Sequence, residues 1–107
     1  MVKYVNAESL EELISTAKQP VFCDFWASWC GPCRMLAPVF EEISDKYDGE
    51  AIFVKIDIDE EDSEAAAIKY GITSIPNIIV FKGGKPVANN LGFVPQDALE
   101  AFVQANL

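Results

Sequence analysis

The 107-residue chain contains no histidine. That absence removes the most common catalytic base near neutral pH, and with it the Cys–His pairing of thiol hydrolases. Cysteine is scarce too. The three residues Cys23, Cys30 and Cys33 are an odd number and too few for the disulfide framework of a small secreted domain. Structural zinc takes four Cys, His or carboxylate ligands, usually from two paired clusters; one CxxC with a spare thiol does not supply them, so no metal is expected. Positive charge is in short supply as well, with 8 basic residues against 17 acidic ones and a net charge of −9. A surface of that sign repels phosphate backbones and gains nothing from counterion release, which excludes nucleic acid as an expected partner. No apolar run approaches the roughly 20 residues of a membrane span. Acidic Glu8 arrives before a signal-peptide core could form, so the expected location is intracellular and away from membranes.

What the chain does have is Trp29-Cys30-Gly31-Pro32-Cys33. An apolar run, Val21 to Ala27, precedes it, and its near-continuous hydrophobicity fits a strand covered on both faces. Leu36, Val39, Phe40 and Ile43 follow at helical spacing, so the cysteine pair sits where a strand hands over to a helix. With zinc and hydrolase chemistry set aside, reversible dithiol–disulfide exchange remains. Cys30 falls just before the helix, where free backbone N–H groups and the helix dipole favour a thiolate. Arg34 adds a positive charge nearby. Cys33 lies in the first turn, better shielded and close enough to close a disulfide onto Cys30. Cys30 is therefore the expected nucleophile and Cys33 the resolving thiol, with Pro32 suited to a helix start.

The remaining pattern reads as βαβαβαββα. A short strand over Val2 to Val5 leads to an Asn6 N-cap and a helix carrying Leu10, Leu13, Ile14 and Ala17 on one face. The helix after Cys33 reaches about Tyr47, with a kink expected at Pro38. Ala51 to Ile58 is a further buried strand. An acidic stretch from Asp57 to Glu64 leads into a helix through Ala65 to Ile68, closed by Gly71 as the C′ residue. Strands Asn77–Lys82 and Lys85–Leu91 flank a Gly83-Gly84 hairpin turn, and Pro86 marks the second as an edge. Pro95 opens a last helix with Leu99, Phe102 and Val103 turned inward. The expectation is one α/β domain over residues 1–107, a central mixed five-stranded sheet flanked by four helices.

These segments together resemble the thioredoxin family. The resemblance is carried by Asp24 through Cys33, Ala37-Pro38, Lys55 through Asp59, Tyr70-Gly71-Ile72, Ile75-Pro76, Phe81 through Gly84, and Gly92, in family order over essentially the whole length. It implies the thioredoxin fold and a general protein-disulfide reductase that needs no bound cofactor. It also implies a cytoplasmic protein that draws electrons from a thioredoxin reductase and passes them to protein disulfides, such as those of peroxiredoxin- or ribonucleotide-reductase-type targets. A monomer is the simplest expectation. The same resemblance implies that Asp24 is a buried general base for Cys33, tuned by Lys55, and that Ile75-Pro76 is a cis-proline loop. Trp29, Gly31, Pro32, Ile58, Ile75, Pro76, Leu91, Gly92 and Phe93 would form a flat apolar docking surface. Ser74 and Asn77 depart from the commoner family residues around Pro76. Cys23 alternates to the face opposite Asp24 and reads as an inert buried thiol. Two alternatives stay open on the residues: an oxidase or isomerase of the same fold, against which Pro32 argues, and a redox-independent binding scaffold.

Overall fold

The structure is a computed structural model that describes all residues, 1–107. Strand β1 (Val2–Tyr4) is followed by helix α1 (Ala7–Thr16), β2 (Val21–Trp26), α2 (Gly31–Lys46) and β3 (Ile52–Asp57). A 3-10 turn over Glu61–Ser63 then precedes α3 (Glu64–Lys69), the hairpin β4 (Asn77–Lys82) and β5 (Lys85–Leu91), and α4 (Gln96–Ala105). The five strands form one sheet in the order β1-β3-β2-β4-β5. β1 and β2 both run parallel to β3, whereas β4 is antiparallel to β2 and to β5. This is the thioredoxin fold in a single domain, as the strand and helix pattern anticipates.

Local chemistry explains the element boundaries. The Asn6 carboxamide oxygen accepts the Ser9 N–H at 2.8 Å, and the Ser9 hydroxyl accepts the Asn6 N–H at 2.9 Å, a reciprocal cap that starts α1. At the other end of α3, Gly71 sits at φ +64°. Its N–H reaches the Ile68 carbonyl at 3.2 Å and the Ile72 N–H reaches Ala67 at 2.9 Å, the paired bonds of a Schellman ending. The hairpin shifts register between Val80 and Phe81, so that Val80 opposes Ala88 while Phe81 opposes Pro86. The bulge and the proline both lie on β5, an edge strand.

Two details differ from the expected pattern. Part of the acidic stretch, Glu61–Ser63, forms its own 3-10 turn ahead of α3. Pro95 occupies the N-cap of α4 rather than its first helical position, lending only its carbonyl, which accepts the Leu99 N–H at 2.9 Å. As expected, Pro38 lies inside α2, which runs from Gly31 to Lys46.

The sheet divides the interior into two cores. Phe22, Phe53, Ile78 and Val80 meet Leu36, Phe40 and Ile43 of α2 and Leu99 and Val103 of α4. On the opposite face Cys23, Phe25, Val54, Ile56, Ile79 and Phe81 meet Leu10 and Ile14 of α1 and Ala66 of α3. Because side chains alternate along a strand, neighbours in sequence enter different cores.

Candidate active site

Strand β2 is central, and its carboxyl end delivers the chain through a short turn to Cys30, whose N–H bonds the Ala27 carbonyl at 3.2 Å. Cys30 is the N-cap of α2, with Gly31 and Pro32 opening the helix. Its Sγ accepts the Cys33 backbone N–H at 3.2 Å, so a donor from the first turn points at this sulfur. Cys30 and Cys33 are joined in a disulfide with Cα atoms 5.2 Å apart. Cys33 is fully enclosed at 1 % exposure, and Cys30 is 5 % exposed. Arg34, expected as a nearby positive charge, turns back to donate to the Ser28 carbonyl at 2.9 Å and so ties the helix to the turn that precedes it.

Sheet register brings the rest of the site to the same end. Asn77 of β4 pairs with Phe25 of β2, so the residues just before β4 arrive beside the disulfide. The Ile75-Pro76 bond is cis, and the Ile75 carbonyl lies 3.9 Å from Cys30 Sγ. Leu91 of β5 pairs with Asn77, and the next residue, Gly92, donates its N–H to the Pro76 carbonyl at 2.7 Å with φ +90°. Trp29, Leu91 and Phe93 are exposed around this junction, as is Pro32, whereas Gly31, Ile58, Ile75 and Gly92 are half-buried and Pro76 is buried. Ile58 and Ile75 lean on the α1–α3 core. The expected docking residues thus include a buried floor as well as an exposed apolar rim. Asn77 spends its side chain on the hairpin, accepting from Asn89 Nδ2 at 3.4 Å, while Ser74 is exposed.

Asp24 of β2 is fully buried on the α2–α4 side of the sheet, and neither carboxyl oxygen has a hydrogen-bond partner within the chain. Burial pushes its pKa up to about 7, while the Lys55 charge pulls the other way. Lys55 stands opposite Asp24 in the β2–β3 register, but no ion pair joins them. Cys23 is fully buried in the opposite core. Burial raises its thiol pKa well above the usual range, and the Asp24 charge adds to that.

Two contacts escaped the sequence reading. The Trp29 indole N–H donates to Asp59 Oδ2 at 2.6 Å, and Asp59 is itself held by a bond from its N–H to Asp57 Oδ1 at 2.9 Å. Lys55 lies over the ring of Trp26 at 4.5 Å and near the ring of Tyr4 at 5.8 Å. The adjacent acidic and aromatic residues were visible signals, but the pairing depends on register.

A CxxC disulfide whose first cysteine caps a helix defines a thiol–disulfide oxidoreductase. Sequence comparison carries the assignment further. The family model described as Thioredoxin matches residues 1–105. A thioredoxin of Staphylococcus haemolyticus is 44 % identical over 107 residues, covering 100 % of this chain and 98 % of its own. One from Synechocystis is 44 % identical over 103 residues, with 96 % and 94 % covered. One from Staphylococcus saprophyticus is 50 % identical over 84 residues, with 78 % and 79 % covered. The chain belongs to the thioredoxin family. It is a protein-disulfide reductase that cycles Cys30 and Cys33 between disulfide and dithiol.

Proposed function

We propose that Cys30 is the attacking thiolate, Cys33 the resolving thiol and Asp24 the base that prepares it. The observation that carries the assignment is the asymmetry of the two sulfurs. Cys30 Sγ receives a helix N–H at 3.2 Å, which favours its thiolate, and Cys33 is the more enclosed of the two. In the reduced enzyme the Cys30 thiolate attacks one sulfur of a substrate disulfide. The substrate S–S bond breaks, a mixed disulfide forms, and the departing sulfur takes a proton. Asp24 then accepts the Cys33 proton, through water, and Cys33 attacks Cys30 Sγ. The second substrate thiol leaves, two electrons have passed to the substrate, and the Cys30–Cys33 disulfide is restored. A carboxyl with a pKa of about 7 is well matched to that transfer near neutral pH.

Trp29, Gly31, Pro32, Ile58, Ile75, Pro76, Leu91, Gly92 and Phe93 form the docking surface in this reading. An extended substrate segment lies along the Ile75 backbone and adds itself as a short strand. A thioredoxin reductase supplies the electrons in the cytoplasm, and peroxiredoxin- or ribonucleotide-reductase-type disulfides receive them. The relatives' names and the exposed apolar rim beside Cys30 support this reading.

Trapping separates the two sulfurs. Cys33→Ser should accumulate covalent substrate adducts, and Cys30→Ser should abolish exchange; adducts in Cys30→Ser alone would reverse the assignment. Asp24→Asn should slow resolution about tenfold or more near pH 7. Rates equal to the parent's across about pH 6–9 would remove Asp24 from the mechanism.

A further inference from the structure

We propose that Tyr4 is a positioning residue: with Trp26 it forms an aromatic corner that holds the Lys55 ammonium, fixing the positive charge that Asp24 feels. Tyr4 lies on β1, opposite Lys55 in the β1–β3 register, and Lys55 lies opposite Asp24 in the β3–β2 register. The three residues therefore form a row across the sheet. Lys55 is only 6 % exposed, yet it makes no ion pair and donates no hydrogen bond within the chain. Its charge is met by aromatic rings, with the ammonium 4.5 Å from the Trp26 ring centroid and 5.8 Å from that of Tyr4. The two rings brace one another edge to face, 6.2 Å apart. Tyr4 is itself 69 % exposed on a strand of three residues, so packing alone does not account for it.

The surroundings of Asp24 make the placement of that one cation matter. β4 offers Ile78 directly opposite Asp24, and the core on that side of the sheet is built from Leu36 of α2 and Leu99 and Val103 of α4. None of these carries positive charge. β3 carries Asp57 two residues beyond Lys55, and Cys23 lies on the other face of Asp24's own strand. Lys55 is the one charge that favours the Asp24 carboxylate. Without the Tyr4 ring the ammonium gains water and its field is screened, so the carboxyl holds its proton more tightly.

The inference rests on Asp24 serving as base, and the two readings can fail separately because a carboxyl titration needs no turnover. The test is a carbon-13 NMR titration of the Asp24 carboxyl in the oxidised protein, where Cys30 and Cys33 do not titrate. Tyr4→Leu keeps bulk but loses the ring, and Tyr4→Phe keeps the ring. Tyr4→Leu should move the midpoint upward by roughly 0.3–0.5 pH units, with Tyr4→Phe restoring the parent value. An unmoved or lowered midpoint in Tyr4→Leu would overturn this role for Tyr4, as would an equal rise in Tyr4→Phe. Unchanged resolution rates in Asp24→Asn would sink the base reading while leaving the titration of Tyr4→Leu fully informative.

Discussion

Asp24 bears a cost that its neighbours do not. A carboxyl with no partner in an apolar core is held in its neutral form, and its pKa moves from the ordinary 3.8 to about 7. The consequence for stability has a definite sign. Between those two values the folded chain keeps a proton that the unfolded chain has released. Stability from this group is therefore present at acid pH, lost as pH climbs through the window, and fully lost above about 7. The loss is on the order of 4 kcal/mol. Asp24→Asn has no proton to lose and should escape it. Urea unfolding at about pH 4.5 and about pH 8.5 should show the parent weakening relative to the variant; parallel behaviour would refute the account. At this scale the sequence was informative about residue types and poor about partners. An acidic residue in an apolar strand announced itself, and so did the two cysteines. That Lys55 rests on aromatic rings instead of pairing with Asp24, or that Trp29 reaches Asp59, depends on strands and loops separated by some 30 residues or more.

Elements were easiest to read where a residue's own backbone preference decides. Gly83-Gly84 fixed both strands of the hairpin, Asn6 the start of α1 and Gly71 the end of α3. Boundaries were harder where the decision is energetic and shared, as in the acidic turn before α3 and the placement of Pro95. The cis geometry at Pro76 was legible only through family resemblance, since a trans bond is the default for an X-Pro pair. Gly71 offers a clean test of backbone preference. A Cβ there would meet nothing within 4 Å, so Gly71→Ala changes conformational energy and no packing. With φ at +64°, the substitution should cost about 1 kcal/mol and lower Tm by roughly 4–8 °C. Exchange activity should stay at the parent level when assayed well below Tm. An unchanged Tm would mean that the end of α3 relaxes freely.

Across the whole molecule, the net charge of −9 acts at a distance that no single contact reaches. The acidic run from Asp57 to Glu64 begins beside the disulfide, where Asp59 holds Trp29. Encounter with a cationic disulfide peptide should therefore be accelerated at low ionic strength, and encounter with an anionic one retarded. Raising salt from about 10 mM to about 500 mM should lower kcat/KM for the first and raise it for the second. Equal salt responses would show that the surface field plays no part.

The division of the interior by one sheet bears on how such a chain can change over time. Asp24 lies on the α2–α4 side, while a second apolar core of comparable size lies on the α1–α3 side. Substitutions far apart on opposite sides share few partners, and their effects on stability add. Positions of the α1–α3 side away from Ile58 and Ile75 can therefore be repacked for a hotter or colder setting, and a variant that weakens the α2–α4 side can be offset from across the sheet. One strand's alternation gives the molecule two traits that selection can adjust one at a time.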